Sequence, residues 1–572
     1  MTERAATSGP VVLLALLALA AVPGGSSLPA VLPNDLVARG KAGVVVTAEP
    51  HATAVGLQVL QAGGNAVDAA VAVALALAVT HPQAGNLGGG GFLLVRMANG
   101  RTAALDFRER APKTASADMY LRADGSVDED RIQFGASAAG VPGSPAGLLH
   151  ALQKFGTQNL KAVAAPAIRL AREGFAVDQF LAADLLAAKK DLGRFPSTKK
   201  VFFRDERPLQ QGELLVQTDL ADTLARFAEG GLAGFYGGRT AELIVAQMQA
   251  GGGFVTAADL ADYTVREREA LRGSYRGCEV LSMPPPSSGG TALLQMLGML
   301  GSFDVKALGF GGSESIHLLT EVMRRAYADR SRWLGDPDHF AVPVAGLVSA
   351  EYCKTLAAGI DRAKKSPVAP GVPPGAPDND DTTHFSIVDK DGNAVACTTT
   401  INSSFGAGVV VDGAGFLLNN EMDDFSAKPG VPNQFGLVGG KANAIAPGKR
   451  MLSSMTPTIV CKNGELRYVL GAPGGGRIIT AVLQVLLACV DHGMGLEQAV
   501  RAPRIHHQWL PDEIVWEALA LSPDVRAALA AKGHAFAKNP RGIGQVFAIE
   551  VLKDGTRLGV CDHRSGGSAG AY

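Results

Sequence analysis

A threonine that opens a strand directly after an unstructured linker can do chemistry that an interior threonine cannot. Residues 366–381, SPVAPGVPPGAPDNDD, carry five prolines and three aspartates, a composition that reads as an exposed linker. The linker stops at Thr382-Thr383. The stretch HFSIVDKDGNAVACTTTI then reads as two alternating strands around the turn Lys390-Asp391-Gly392-Asn393. At such a junction the Thr382 hydroxyl can attack the carbonyl of Asp381. An N→O acyl shift gives an ester, and water hydrolyses it. The freed α-amino group of Thr382 has an unperturbed pKa of roughly 7.7–8, so one residue can supply both nucleophile and base. By local pattern alone the Thr-Thr pair reads equally as plain strand sequence, because threonine favours strands.

Three further stretches have the residue types that such a nucleophile needs around it. Leu452-Ser453-Ser454-Met455-Thr456-Pro457 offers two adjacent hydroxyls, and Pro473-Gly474-Gly475-Gly476-Arg477 offers backbone N–H groups with no side chain in the way, the makings of an oxyanion hole. Asn419-Asn420-Glu421-Met422-Asp423-Asp424-Phe425 gathers carboxylates and amides suited to an ammonium group. Each would serve equally as a turn or loop cap. His384 is two residues from Thr382, but with the α-amine available as base it reads as structural. His506-His507 are adjacent on one strand and so point to opposite faces, which argues against a shared metal.

The elements that must position these groups are legible in outline. Residues 43–47 read as a strand, and His51 to about Ala62 as a helix stopped by Gly63-Gly64. Asn65 caps a second, alanine-rich helix ending near Pro82. Gly88 to Gly91 runs into the strand FLLVRM. A phosphate loop is excluded there, because no Lys-Ser/Thr follows the glycines and the order is helix–loop–strand. The middle third, about 145–365, is helix-rich, with apolar spacing of three and four over 147–190 and 313–333. A turn-rich break at 284–290 precedes the apolar helix TALLQMLGML. Residues 456–471 read as a second hairpin turning at Lys462-Asn463-Gly464.

Composition narrows the class. With 47% hydrophobic and 19% charged residues the chain of 572 is globular, and a formal net charge of −1 gives no electrostatic case for a nucleic-acid or membrane-surface partner. Six scattered cysteines without a C-x-x-C pair, and no H-E-x-x-H, give no metal site; most read as small buried residues, with a disulfide open if the protein is exported. Residues 11–22, VVLLALLALAAV, are too short to span a membrane comfortably and suit the apolar core of a secretory signal, with cleavage between about Ala21 and Ala30. Residues 69–79 are an equally short apolar run and read as a buried helix.

Taken together, EPHATAVGLQVLQAGGNAVDAA, LDFRERAP, PPPSSGG, DTTHFSIVDKDGNAVA, NNEMDDF, PGVPNQFGLVGG, KRMLSSMTPTIV, GAPGGGRI and RIHHQWLPDE closely resemble the γ-glutamyltransferase (glutathione hydrolase) family, from about Ala42 to Tyr572. The resemblance implies an α/β fold, the four-layer αββα sandwich of N-terminal nucleophile hydrolases. It implies a signal peptide (1–27), a large subunit (28–381) and a small subunit (382–572) made by cleavage between Asp381 and Thr382. Thr382 falls at the nucleophile position and Thr400 at that of the threonine bonded to it. Arg108, Ser453 and Ser454 match the residues that hold the substrate α-carboxylate. Asn402, Glu421 and Asp424 match those around the α-ammonium, and Gly474 and Gly475 the oxyanion hole. The implied partners are small molecules (glutathione, γ-glutamyl amides, acceptor amino acids or peptides, water) and the two subunits themselves, with no cofactor, no nucleic acid and no stable membrane association. The implied location is periplasmic or secreted.

The constellation makes sense on its own terms. A γ-glutamyl group is a zwitterionic amino acid joined through its side chain. It needs a cation, an anion and a nucleophile one side-chain length away, and a guanidinium suits the carboxylate by its paired donors. Two positions depart from the family's pattern: Phe435, in the lid stretch where bacterial members often carry a tyrosine, which is expected to loosen gating or change acceptor access, and Glu421, where some members have glutamine. The competing readings are an acylase of the same fold acting on glutaryl or β-lactam side chains, for which the acidic pair would be unnecessary, depolymerisation of poly-γ-glutamate, and a non-catalytic exported binding protein.

Overall fold

In the computed structural model the described residues are 35–370, 383–431, 433–434 and 436–572. The signal segment 1–27, the linker residues 371–381, Thr382 and Phe435 lie outside them.

The frame is two seven-stranded antiparallel sheets. One runs in the order Val37–Gly40, Arg557–Cys561, Phe547–Val551, Glu465–Gly471, Thr458–Lys462, Cys278–Ser282, Leu271–Tyr275. The other runs Ser568–Ala571, Val44–Thr47, Thr383–Val388, Ala394–Thr400, Gly90–Arg96, Thr102–Asp106, Arg266–Arg268. Strands from either side of position 382 are interleaved in both sheets. Three apolar layers hold the frame together. Val44, Val46, Phe92, Leu94, Ile459 and Phe547 pack between the sheets. The helices Pro50–Gln61, Ala66–Thr80, Ser144–Phe155 and Leu160–Glu173 cover the second sheet, and Gly289–Leu300, Ser313–Trp333 and Arg477–Val490 cover the first. The result is the αββα sandwich.

Local sequence accounts for the key elements. The Asn65 side chain accepts from the Val67 and Asp68 amides while Asp68 reaches back to the Asn65 amide, a reciprocal cap that starts the helix Ala66–Thr80. Every residue of that helix is buried, which explains its unbroken apolar run. The hairpin between Thr458–Lys462 and Glu465–Gly471 turns on Asn463 and Gly464, both at positive φ (54° and 82°), the pairing that matches strand twist.

The strand pair after Thr382 alternates as expected, but both of its faces are buried. Phe385, Ile387, Val395 and Cys397 face the helices, while Ala394 and Ala396 face the opposite sheet, where Ser386 donates to the Phe547 carbonyl (3.0 Å). The start of the linker also differs from an exposed tail. Ser366 is buried, because Arg324 donates to its carbonyl (2.8 Å) and its hydroxyl accepts from the Asp361 amide (3.0 Å). All six cysteines are free thiols, five of them buried. No helix among the described residues is long and apolar enough to cross a membrane.

Candidate active site

The site lies where the strand pair ends. Described backbone resumes at Thr383, which pairs with Thr399, so the next position on the partner strand is Thr400. Thr400 is buried, and its hydroxyl oxygen accepts from the Asn402 amide (2.6 Å). Asn86 ties down this strand end, donating to the Thr400 carbonyl (2.8 Å) and the Thr399 hydroxyl (3.1 Å). The glycine cluster has its explanation here. A Cβ on Gly89 would lie 1.9 Å from the Thr400 oxygen, and one on Gly91 2.4 Å from that of Thr398. The glycines permit this backbone-to-backbone approach.

Beyond Thr400 the chain turns through Asn402 (φ 72°) and Phe405 (φ 64°), a conformation uncommon for residues with side chains and typical of functional loops. Asn402 donates to the Asn420 carbonyl (3.0 Å), while its side-chain oxygen has no hydrogen-bond partner among the described residues. Ser403 exchanges bonds with the Asn420 side chain and donates to Gln434 (2.8 Å), the described neighbour of Phe435 in the lid stretch. Gly474 and Gly475 take φ of 130° and 64°, and lead into the helix Arg477–Val490, whose N-terminus favours developing negative charge. Thr400, Asn402, Gly474 and Gly475 all line one cavity of about 590 Å³.

Arg108, Glu421, Asp424, Ser453 and Ser454 form a second group, buried away from that cavity's wall. Arg108 is fully buried, with one guanidinium nitrogen 2.7 Å from Glu421, the other against Asp424, and further bonds to the Met451 and Leu452 carbonyls (both 3.2 Å). The sequence reading set a cation and an acidic pair apart as two anchors; the structure joins them in one ion cluster. Burial opposes the guanidinium's charge, yet Glu421, Glu109 and Asp424 hold its pKa above the ordinary value. Glu109, 3.5 Å from the same guanidinium, is pushed up to about 8, chiefly by burial. Burial thus opposes a further negative charge in the cluster. The two groups of residues meet where Asn420, bonded to Asn402, precedes Glu421 in the chain.

The helix expected over 313–333 is present, but sequence reasoning missed the two residues by which it braces both groups. Tyr327 and Arg330, three apart on Ser313–Trp333, share a face. Arg330 is buried and donates to Ser454 (3.2 Å) and Ser288 (3.1 Å). Tyr327 donates to the Gly476 carbonyl, next to Gly474 and Gly475. Ser288 in turn holds the Ser453 carbonyl (2.8 Å), which gives PPPSSGG its role. The available signal was that Arg330 stands three and four residues from Ala326, Tyr327, Trp333 and Leu334, on the apolar side of the helix.

His384, His506 and His507 are held in packing and hydrogen-bond contacts. His384 is buried between Thr398 (2.9 Å) and Ser386 (3.0 Å), and burial lowers its pKa to about 3, so it stays neutral. His506 bonds Thr480 (2.9 Å) and packs edge-on against Tyr327, whereas His507 faces Asp512 (3.3 Å). The two point to different partners.

The four-layer αββα sandwich, with the site at the end of its central strand pair, has the fold of the N-terminal nucleophile hydrolases. A family model described as gamma-glutamyltranspeptidase matches residues 52–572. The chain is 50% identical over 531 residues to the glutathione hydrolase proenzyme of Escherichia coli (strain K12), covering 92% of this chain and 91% of that one. The crystal structure of Helicobacter pylori gamma-glutamyltranspeptidase is similar at 45% identity and TM-score 0.57, over 58% of this chain and 96% of that one. The crystal structure of cephalosporin acylase from Bacillus halodurans superposes at TM-score 0.84 with 28% identity, over 96% of this chain and 99% of that one. The chain belongs to the γ-glutamyltranspeptidase family, and it is an enzyme of the N-terminal nucleophile hydrolase class.

Proposed function

We propose that the protein is made as a proenzyme that cuts itself between Asp381 and Thr382. It then hydrolyses or transfers the γ-glutamyl group of glutathione and other γ-glutamyl amides. The large subunit would be 28–381 and the small subunit 382–572. Their strands interleave in both sheets, so cleavage would leave the halves interlocked. The freed amine of Thr382 takes the proton of its own hydroxyl as the oxygen attacks the γ-carbonyl carbon. The oxyanion is stabilised by Gly474 and Gly475, and the leaving amine departs with a proton. Water or an acceptor amine then attacks the γ-glutamyl ester. Arg108, Ser453 and Ser454 hold the α-carboxylate, while Asn402, Glu421 and Asp424 hold the α-ammonium. The apolar run at 11–22 supports an exported, periplasmic or secreted enzyme.

The observation that carries this reading is the fully buried Arg108–Glu421–Asp424 cluster. Its paired charges match the two ends of an amino-acid zwitterion, which can enter by exchanging partners with no net charge buried. The overall similarity to cephalosporin acylase favours the alternative, a glutaryl-type acylase. A glutaryl group has no ammonium, so it would leave the acidic pair without its second cation. The test is kcat/KM on γ-glutamyl-p-nitroanilide and glutaryl-p-nitroanilide, for the wild type and Asp424→Asn. The wild type is expected to prefer the γ-glutamyl substrate by at least about 30-fold, the equivalent of losing one charge-paired contact at about 2 kcal/mol, and Asp424→Asn to erase most of that preference. A wild type that prefers the glutaryl substrate would overturn the reading.

A further inference from the structure

The cavity is wider than its catalytic edge. Past Thr400, Asn402 and the oxyanion glycines its wall continues through Gln83, Asp178, Phe180, Leu181 and Asp184, none of which the reaction has yet used. Gln83 is only 8% exposed, and its side-chain nitrogen donates to Asp184 (3.1 Å). That bond fixes the amide's orientation, because turning it over would set its carbonyl oxygen against a carboxylate oxygen. The Gln83 oxygen that remains has no hydrogen-bond partner among the described residues. Among the described residues neither Asp184 nor Asp178 has an ion-pair partner, although Asp178 begins the helix that carries Asp184 by capping it (2.7 Å to the Leu181 amide). Burial, together with the neighbouring Asp178, raises the Asp184 pKa, as expected where a cation is missing. The Gln83 carbonyl accepts from Phe405 (3.0 Å), which ties this wall to the loop that follows Thr400.

We propose that Gln83 and Asp184 form the subsite for the primary ammonium of the acceptor, an amino acid or short peptide, and so set how much γ-glutamyl group is transferred rather than hydrolysed. The assignment rests on the γ-glutamyl-enzyme reading above. An ammonium group brings three donors and no acceptor, which answers an orphaned amide oxygen beside an unpaired carboxylate. The residues that anchor the γ-glutamyl zwitterion are not on this wall, so the space in front of it is open to whatever attacks. In the transfer step the acceptor nitrogen bonds to the γ-carbonyl carbon as the ester bond to the threonine oxygen breaks. Of the two protons the ammonium gives up, one returns to that oxygen and the other passes by way of Asp184 to solvent.

The test compares wild type, Asp184→Asn and Gln83→Leu with γ-glutamyl-p-nitroanilide as donor. Product analysis separates hydrolysis from transfer, and the acceptors are glycylglycine, cationic at pH 7, and hydroxylamine, a neutral amine at that pH. Losing a charge-assisted contact should raise the apparent KM for glycylglycine by about ten- to a hundredfold and lower the transfer-to-hydrolysis ratio with it. The KM for hydroxylamine should move by less than about threefold. Equal effects on both acceptors, or none on glycylglycine, would overturn the proposal, and so would a wild type that hydrolyses the donor but transfers nothing. A wild type that releases no p-nitroaniline would instead overturn the γ-glutamyl reading beneath it.

Discussion

Arg108→Met removes the guanidinium from an ion cluster that holds Glu421 at 2.7 Å, Asp424 against the other guanidinium nitrogen, and Glu109 at 3.5 Å, all fully buried. Two consequences follow, on separate observables. Stripping one partner from a buried ion pair costs roughly 3–5 kcal/mol, so the variant should unfold at lower temperature. The stranded carboxylates would gain raised pKa values, and a group with a raised folded-state pKa gives up stability as pH rises through it. The deficit against wild type should therefore be smaller at pH 5 than at pH 8. On activity, a substrate carboxylate without its guanidinium loses about 2–5 kcal/mol of binding, which is about 30- to 5,000-fold in kcat/KM. The assay that isolates this is release of p-nitroaniline from γ-glutamyl-p-nitroanilide and from its 4-aminobutyryl analogue, which lacks the α-carboxylate. The variant should lose its large factor on the first substrate and little on the second. An equal loss on both, from protein that is correctly cut into two chains, would refute the assignment of Arg108 to the carboxylate.

Two other perturbations follow from the same frame. His384 is neutral when folded, with its pKa lowered to about 3 by burial, so the unfolded chain binds a proton that the folded one refuses as pH falls below about 6.5, and stability drops by up to about 2 kcal/mol between pH 7 and 5. His384→Gln should flatten the melting temperature over that interval, and an unchanged slope would count against a buried neutral histidine. Gly89→Ala would place a carbon 1.9 Å from the Thr400 oxygen, more overlap than the roughly 1–3 kcal/mol of ordinary overpacking. It should yield unstable precursor that stays uncut, and normal processing at an unchanged melting temperature would contradict the packing role given to the glycines.

Much of this was legible in the sequence, for identifiable reasons. The Asn65 cap, the Asn463-Gly464 turn and the apolar helix Ala66–Thr80 are local, and local rules found them. The strand pair after Thr382 was found too, but alternation could not show that both faces are buried, because His384, Ser386 and Thr398 look polar while lying between two sheets. The residues of the site were reached through a resemblance spanning the chain. Their arrangement was not, since nothing in the spacing of Arg108, Glu421 and Asp424 says that they meet in one ion cluster. Arg330 and Tyr327 were missed because bracing is a tertiary property, and Gln83 because an orphaned oxygen has no sequence signature. Phe435, with its expected loosening of the lid, lies outside the described residues; its neighbour Gln434 is tied to Ser403.

The central claim is that Thr382 is both the cutting residue and the nucleophile. It is tested most directly by N-terminal sequencing and intact mass of the two fragments from wild type, alongside the same analysis of Thr382→Ala. The expected results are a small fragment that begins at Thr382 and spans 382–572, and a variant that remains one uncut, inactive chain. A small fragment beginning elsewhere, or a Thr382→Ala protein that still splits into two chains, would contradict it.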